Sequence, residues 1–154
     1  IIDVRRKAEA NRDYQLQVVD LRTWEKRYGK IPPRAIVLMY SGWGKLWGDR
    51  KRYFGTDQEG DVANLRFPGF SRDAAELLLK ERKIKAAGTD TPSIDYGPSR
   101  DFAVHQIFGA ANIPIFENVA SLERLPPKGA TIFAVPMKIK GGSGAPLRIF
   151  AVLP

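Results

Sequence analysis

The residues best suited to chemistry surround the only histidine of the chain, His105. Asp90 and Asp95 precede it in a polar segment, and Glu117 follows it at the end of a predicted strand. A helix over 101–111, followed by a strand that runs back past it, can bring His105 and Glu117 together. A converging imidazole and carboxylate suit Zn²⁺, Mn²⁺ or Fe²⁺. Spacing alone leaves two interpretations open, a pair of metal ligands and an ordinary hydrogen-bonded pair at the surface.

Other catalytic arrangements have little support in the sequence. The chain contains no cysteine, which excludes disulfides and thiolate chemistry, and it has neither a P-loop nor a G-x-S-x-G elbow. A Ser-His-Asp triad would need Ser93 or Ser99 beside His105, and no pattern brings them together. A catalytic zinc usually has three protein ligands and an open position for water, so His105 and Glu117 alone do not complete a site.

The predicted elements that position these residues alternate between helices and strands. Ser71 is a good N-cap for a helix over 72–82, and Asp20 is the predicted N-cap of a helix in 17–28. Apolar runs predict the remaining strands, at 35–40, 84–88, 113–116, 131–135 and 147–153. We therefore predict an α/β domain with a mixed sheet and flanking helices.

A long irregular region over 41–70 is rich in aromatic and glycine residues. Disordered segments are poor in aromatics, so this region is predicted to be ordered and to wall a pocket. Trp43 and Phe70 are its candidate pocket residues. Ordinary core packing is the alternative for both.

The composition limits the partners that we expect. The net charge of +8 is spread over scattered basic residues without a nucleic-acid motif, so we expect no nucleic-acid partner. A basic anion-binding or nucleic-acid-binding protein stays open as a weaker alternative, which predicts steep salt dependence. No apolar run approaches the roughly 20 residues of a membrane span, so we expect no membrane partner. The lack of cysteine is compatible with a reducing compartment, and we expect a cytoplasmic protein.

A series of short motifs runs in order along nearly the whole chain. The motifs are SGW at 41–43, FPGFS at 67–71, GTDTPSID at 88–95, IFENV at 115–119, LPPKG at 125–129, PMKI at 136–139 and GGSGAPLR at 141–148, with His105 between the third and the fourth. This series resembles the cyclase family of metal-dependent hydrolases, which includes bacterial kynurenine formamidase and isatin hydrolase. The resemblance implies a swivelling β/β/α fold in a homodimer or homotetramer.

The resemblance also implies an activity. It implies hydrolysis of a C–N bond in an aryl-formamide or cyclic amide, such as an N-formylkynurenine-like substrate, by water and a divalent metal, Zn²⁺ or Mn²⁺. His105 and Glu117 would then be metal ligands. Trp43 and Phe70 would pack against an aromatic substrate.

The polar residues of the 89–95 loop would support that site. Asp90, Ser93 and Asp95 would orient the metal ligands or line the site with polar groups. The alternative for the two aspartates is loop capping and turn hydrogen bonding.

The sequence also departs from the family pattern. The family motif His-x-Gly-Thr-His-x-Asp-x-Pro, which would supply most metal ligands and the general base, is absent. We expect it upstream of Ile1, so that 1–154 would form one domain and the C-terminal part of a longer hydrolase, with no catalytic base of its own. The alternative is a non-catalytic subunit that keeps the fold and lacks the chemistry.

Overall fold

The structure is a computed structural model that describes residues 1–154, and it alternates short strands with helices along most of the chain. Its strands are β1 (Ile2–Asp3), β2 (Gln15–Leu16), β3 (Ile36–Tyr40), β4 (Gly69–Phe70), β5 (Ala86–Thr89), β6 (Ile115–Phe116), β7 (Thr131–Pro136) and β8 (Leu147–Val152). Its helices are α1 (Arg5–Ala10), α2 (Val18–Tyr28), α3 (Arg50–Phe54), α4 (Arg72–Glu76) and α5 (Ala103–Ala110). Helix α4 continues as a π-helical turn, Leu77–Glu81. None of the helices combines the length and the apolar character that crossing a bilayer requires.

A four-stranded parallel sheet with the spatial order β1-β3-β5-β6 forms the centre of the structure. Strands β2 and β4 make a separate parallel pair, and β7 and β8 make a separate antiparallel hairpin. The α/β class is therefore confirmed. The antiparallel pairing that we expected within one mixed sheet lies in the hairpin, and the main sheet is parallel throughout.

The two faces of the parallel sheet bury alternating residues, as the period of two in a β-strand requires. Val37 and Met39 of β3 face the main core, into which the helices place Leu21, Leu78 and Phe108. Leu38, between them in sequence, faces a smaller cluster on the opposite side with Ala86 and Phe116. A strand buried on both faces reads as a continuous apolar run, which explains why this segment was predictable.

The β7–β8 hairpin packs against the smaller cluster. Its inward side chains, Ala134, Leu147 and Ile149, cover the face of the sheet that the helices leave open. Its outward face is also apolar, and Phe133 stacks on Phe150 across the two strands with ring centroids 5.0 Å apart. The hairpin is therefore a ribbon with apolar side chains on both faces.

The prediction that Asp20 is the N-cap of helix α2 is wrong. Its N-cap is Gln17, and Asp20 lies one turn further on, where its carboxylate accepts a hydrogen bond from the Gln17 backbone N–H at 2.7 Å. The two residues form a reciprocal capping box. Asp20 is held inside because Tyr14 and Lys7 also bind its carboxylate. The N-cap predicted at Ser71 is confirmed, because its hydroxyl accepts from Ala74 N–H.

A close backbone contact at Gly69 fixes the 94–97 segment. The 67–70 segment, which includes β4, pairs with it: Phe70 N–H donates to the Ile94 carbonyl and Gly97 N–H donates to the Phe67 carbonyl. A Cβ atom at Gly69 would lie 2.2 Å from the backbone nitrogen of Tyr96 and 2.4 Å from the carbonyl carbon of Asp95. Only glycine allows this approach, so Gly69 fixes the position of the loop that carries Asp95.

We predict that Gly69→Ala destabilises the protein and displaces this loop. Backbone atoms cannot move aside as a flexible side chain can, so the loss in the free energy of unfolding should reach about 3 kcal/mol, the upper end of typical overpacking costs. Gly48→Ala is the matched control, since nothing lies within 4 Å of a Cβ there. Urea unfolding of both variants measures the difference, and equal stabilities would contradict the proposed close contact.

Candidate functional site

The candidate site lies at the carboxyl edge of the parallel sheet. Asp90 directly follows β5, and Glu117 directly follows β6. Because neighbouring parallel strands end at the same edge, their following loops converge there, and this edge is where open α/β sheets bind ligands. Helix α5 carries His105 into the same region.

Three of the predicted residues form a chain of contacts through the imidazole. Nδ1 of His105 lies 2.7 Å from Oδ2 of Asp95, and Nε2 lies 3.3 Å from Oε1 of Glu117. The Asp95 side chain is 4% exposed, whereas the imidazole is 40% exposed. The ring is therefore anchored on its buried side and open to solvent beside Glu117.

Asp95 holds more than the imidazole. Its carboxylate also accepts hydrogen bonds from the backbone N–H groups of Val104, at 2.9 Å, and His105, at 3.1 Å. These are donors in the first turn of α5, which would otherwise lack partners. Asp95 therefore caps the helix from a distant loop and fixes the His105 ring with the same carboxylate.

Glu117 is oriented by a backbone contact. The Ile94 N–H donates to its Oε1 at 3.0 Å, and the same oxygen is the one that faces His105. The loop that supplies Asp95 therefore also positions Glu117. The segment 94–95 thus provides one carboxylate of the site, that of Asp95, and orients the other, that of Glu117.

The two carboxylates raise the pKa of His105 to about 9. The hydrogen bond with Asp95 is the largest cause, the contact with Glu117 is the next, and partial burial opposes both. In the metal-free protein the ring is therefore protonated at neutral pH, and both of its nitrogens donate.

The donor set suits part of a divalent-metal site. Nε2 and the Glu117 carboxylate face each other, and Nδ1 is held by a carboxylate, an arrangement that is common for histidines that bind metals. Asp95 lies on the other side of the ring. No group of three or more His, Cys, Asp or Glu side chains in the chain is placed to surround one cation. The chain thus offers two converging donors, one fewer than catalytic zinc usually takes from protein.

Asp90 has a different role from Asp95 in the structure. It is buried, and its carboxylate accepts from Ser41 N–H and Oγ, at 2.9 and 2.6 Å, and from Trp43 N–H at 2.8 Å. Burial raises the pKa of Asp90, and these hydrogen bonds oppose that shift. These contacts favour the loop-capping alternative, in which Asp90 shapes the turn that follows β3.

Ser93 supports the same loop at close range. Its hydroxyl accepts from Asp95 N–H at 3.2 Å, and its carbonyl accepts from the Thr91 hydroxyl at 2.9 Å. Ser93 therefore shapes the turn that presents Asp95.

The two predicted pocket aromatics are packed inside the protein. Phe70 is 1% exposed in the main core. Trp43 is 5% exposed and belongs to a third cluster with Tyr53. The indole N–H of Trp43 donates a hydrogen bond to the backbone carbonyl of Tyr53 at 2.8 Å. Burial favours the core-packing alternative for both residues.

Two residues near the site were not singled out in the sequence. The Tyr53 hydroxyl donates to Asn118 Oδ1 at 2.8 Å and lies 3.2 Å from the Asp90 carbonyl. Asn118 directly follows Glu117 and has a positive φ of 56°. A contact between residues 65 positions apart depends on tertiary packing, so only the aromatic content of the 41–70 region pointed towards it.

The fold and the site define an α/β protein with a paired histidine and glutamate at the carboxyl edge of a parallel sheet. Residues 1–96 match the sequence profile of the cyclase family, whose description reads "Putative cyclase". This match covers more than half of the chain, which therefore belongs to the cyclase family.

Three relatives support this membership. Isatin hydrolase from Roseibium aggregatum is 30% identical over 158 residues, which cover 100% of this chain and 58% of that protein. Kynurenine formamidase from Salinibacter ruber is 34% identical over 70 residues, which cover 46% of this chain and 32% of that protein. Isatin hydrolase A from Ralstonia solanacearum has a solved structure that superimposes with a TM-score of 0.91 at 34% identity.

That superposition covers 99% of this chain and 58% of the solved one. The fold expected from the family resemblance is confirmed by it. The chain spans a little over half the length of the two isatin hydrolases that it matches.

We predict that Asp95→Asn lowers the pKa of His105 in the metal-free protein from about 9 towards its ordinary value of 6.5. Glu117→Gln should lower it less, because its contact is the smaller cause. Since His105 is the only histidine, an NMR titration of its ring protons reads this pKa directly. Glu76→Gln is the control, because Glu76 pairs with Lys80 at the surface of helix α4, away from the site. An unchanged pKa of His105 in Asp95→Asn would refute Asp95 as the main cause of the raised pKa.

The same shift predicts how stability depends on pH. The folded pKa lies above the ordinary 6.5, so the charged ring stabilises the fold fully below about pH 6.5. This contribution is lost as the pH rises through about 9. The difference in unfolding free energy between the wild-type protein and His105→Gln, measured without metal at pH 6 and pH 10, should therefore shrink. A difference that grows with pH would contradict the sign.

Proposed function

We propose that this chain carries part of the active site of a metal-dependent hydrolase that cleaves a C–N bond in an aryl-formamide or cyclic amide, such as an N-formylkynurenine-like substrate. The observation that carries the proposal is the convergence of His105 Nε2 and Glu117 Oε1 at 3.3 Å, beside an imidazole whose Nδ1 is fixed by Asp95. The two named relatives, an isatin hydrolase and a kynurenine formamidase, support the substrate class.

In this proposal His105 and Glu117 are ligands of Zn²⁺ or Mn²⁺. Such a cation, when bound, polarises a carbonyl and lowers the pKa of water. Asp95 keeps the Nδ1 proton of His105 in place, so Nε2, which lies on the side of Glu117, is the nitrogen that would bind the cation. The backbone N–H of Ile94 holds Glu117 at the same point, so neither donor has to be ordered when metal binds.

Metal affinity should depend on pH in this site. The imidazole must release its proton before Nε2 can act as a ligand, and Asp95 and Glu117 hold that proton up to about pH 9. Affinity is therefore expected to rise between pH 6.5 and 9. The further ligands and the general base are proposed to come from polypeptide outside these residues, on the same protein or on a partner subunit.

A non-catalytic subunit with the same fold is the second candidate. It is favoured by one observation, that fewer than three potential ligands converge in this chain. The two candidates differ in metal content, since a subunit that has lost the chemistry has no reason to hold a divalent cation at His105.

We predict that the native gene product binds about one Zn²⁺ or Mn²⁺ per subunit and that His105→Ala and Glu117→Gln each weaken this binding at least about tenfold. Removing one of a small set of ligands costs a large share of the affinity. Metal content after dialysis is measured by mass spectrometry, and hydrolysis of formanilide is assayed before and after chelation. Activity should vanish with the metal and return on its addition.

Glu76→Gln serves as the control for a lost carboxylate, because Glu76 lies on helix α4 and pairs with Lys80 at the surface. A protein that hydrolyses formanilide equally well without metal would exclude this mechanism. A protein that binds no metal and cleaves no amide would favour the non-catalytic subunit.

A further inference from the structure

Phe102 is an exposed aromatic residue beside the candidate metal ligand. It lies one helical turn before His105, and 56% of its surface is exposed. The two rings meet edge to face, with centroids 6.3 Å apart and planes at 81°. This contact places Phe102 beside the imidazole, so the two exposed side chains border the same surface.

The backbone at Phe102 has a conformation that bulky residues avoid. Its φ of 47° and ψ of 43° are left-handed, a region that favours glycine and asparagine over phenylalanine. The conformation is held by neighbours, since Phe102 N–H donates to Ser99 Oγ at 3.2 Å and its carbonyl accepts from Gln106 N–H at 3.0 Å. Such held outliers cluster at functional sites.

The position of Phe102 in α5 makes an aromatic side chain more unusual. It occupies the N-cap, where Ser, Thr, Asp and Asn prevail because their side chains bind the first-turn N–H groups. Here Asp95 binds two of those groups. The N-cap side chain therefore does not need to bind these groups. Phe102 occupies the position with a ring that neither caps the helix nor packs in the main core.

We propose that Phe102 is a specificity-determining residue whose ring contacts the aromatic ring of the amide substrate. This inference rests on the proposed function, and it names the residue that selects aryl over alkyl amides. Aromatic pairs gain affinity from ring geometry beyond what burial alone provides. The fixed backbone lowers the cost of ordering Phe102 when a substrate ring arrives.

The test compares two formamides of similar size on the native, metal-loaded gene product. Formanilide carries a flat aromatic ring, and N-cyclohexylformamide carries a saturated one. Phe102→Ala should raise KM for formanilide about tenfold with kcat within about twofold of wild type, as expected when a binding contact is lost. KM for N-cyclohexylformamide should change much less, and Phe102→Trp should retain the preference for formanilide. Equal changes for both substrates, or none, overturn the proposal.

A glycine variant separates substrate recognition from a purely structural role. Phe102→Gly removes the ring and also relieves the left-handed backbone, so its melting temperature should match or exceed that of wild type while the preference for formanilide is lost. Lys83→Gly is the matched control, because Lys83 is exposed, has a φ of 50° and lies outside the site. A lower melting temperature with an intact preference for formanilide overturns the proposal.

A binding measurement keeps the inference separate from the proposed activity. Calorimetry compares benzoate with cyclohexanecarboxylate on the wild-type protein and on Phe102→Ala. If neither formamide is cleaved, the proposed function fails, and a benzoate preference that disappears in Phe102→Ala still supports the ring contact. If amides are cleaved and the wild-type protein shows no preference for benzoate, the proposed function stands and the role of Phe102 is overturned.

Discussion

The carboxylate of Asp95 is the interaction on which the candidate site depends. One nearly buried group accepts three hydrogen bonds, from the Val104 N–H, the His105 N–H and the His105 ring. Burying a carboxylate is costly unless donors surround it, and here the donors are the open end of a helix and an imidazole. Helix start and ring orientation are thereby fixed by the same group, so α5 cannot shift along its axis without turning His105.

The position of Asp95 depends in turn on the short β2–β4 sheet. Phe70 forms a bridge with Asp95, and Gly69 lets the two backbones approach. The same loop holds Glu117 through Ile94. His105 and Glu117 therefore meet because the edge of β4 supports the loop that holds both side chains. The relative position of His105 and Glu117 is therefore set by the fold itself.

The sequence predicted the fold class and the main strands because those features follow from local patterns. The continuous apolar run of β3 and the Ser71 N-cap are each recognisable from a few adjacent residues. The order of the motifs along the chain indicated the family. The convergence of His105 and Glu117 was also expected, from a helix followed by a returning strand. The proposed role of these two residues in metal binding stays a prediction.

The remaining features depend on contacts of the folded chain that no local sequence pattern marks. Asp95 caps α5 from outside the helix, so no capping pattern marks it near residue 103. Asp20 has the composition of an N-cap, but its carboxylate reaches back to Gln17 from inside the first turn. Phe70 looked like a pocket residue because it sits in an aromatic-rich region, yet it packs in the core. Phe102 could not be singled out, because its exposure and backbone conformation are properties of the folded chain.

The β7–β8 ribbon has a consequence for the behaviour of the protein in solution. Each of its strands has one unpaired edge, and the stacked Phe133 and Phe150 rings lie on its outer face. The unpaired N–H and C=O groups of an open edge can hydrogen-bond to any extended segment, and covering an exposed apolar face is energetically favourable. Wherever that face remains in water, self-association should increase with protein concentration, and added Lys or Glu side chains along the outer face should suppress it.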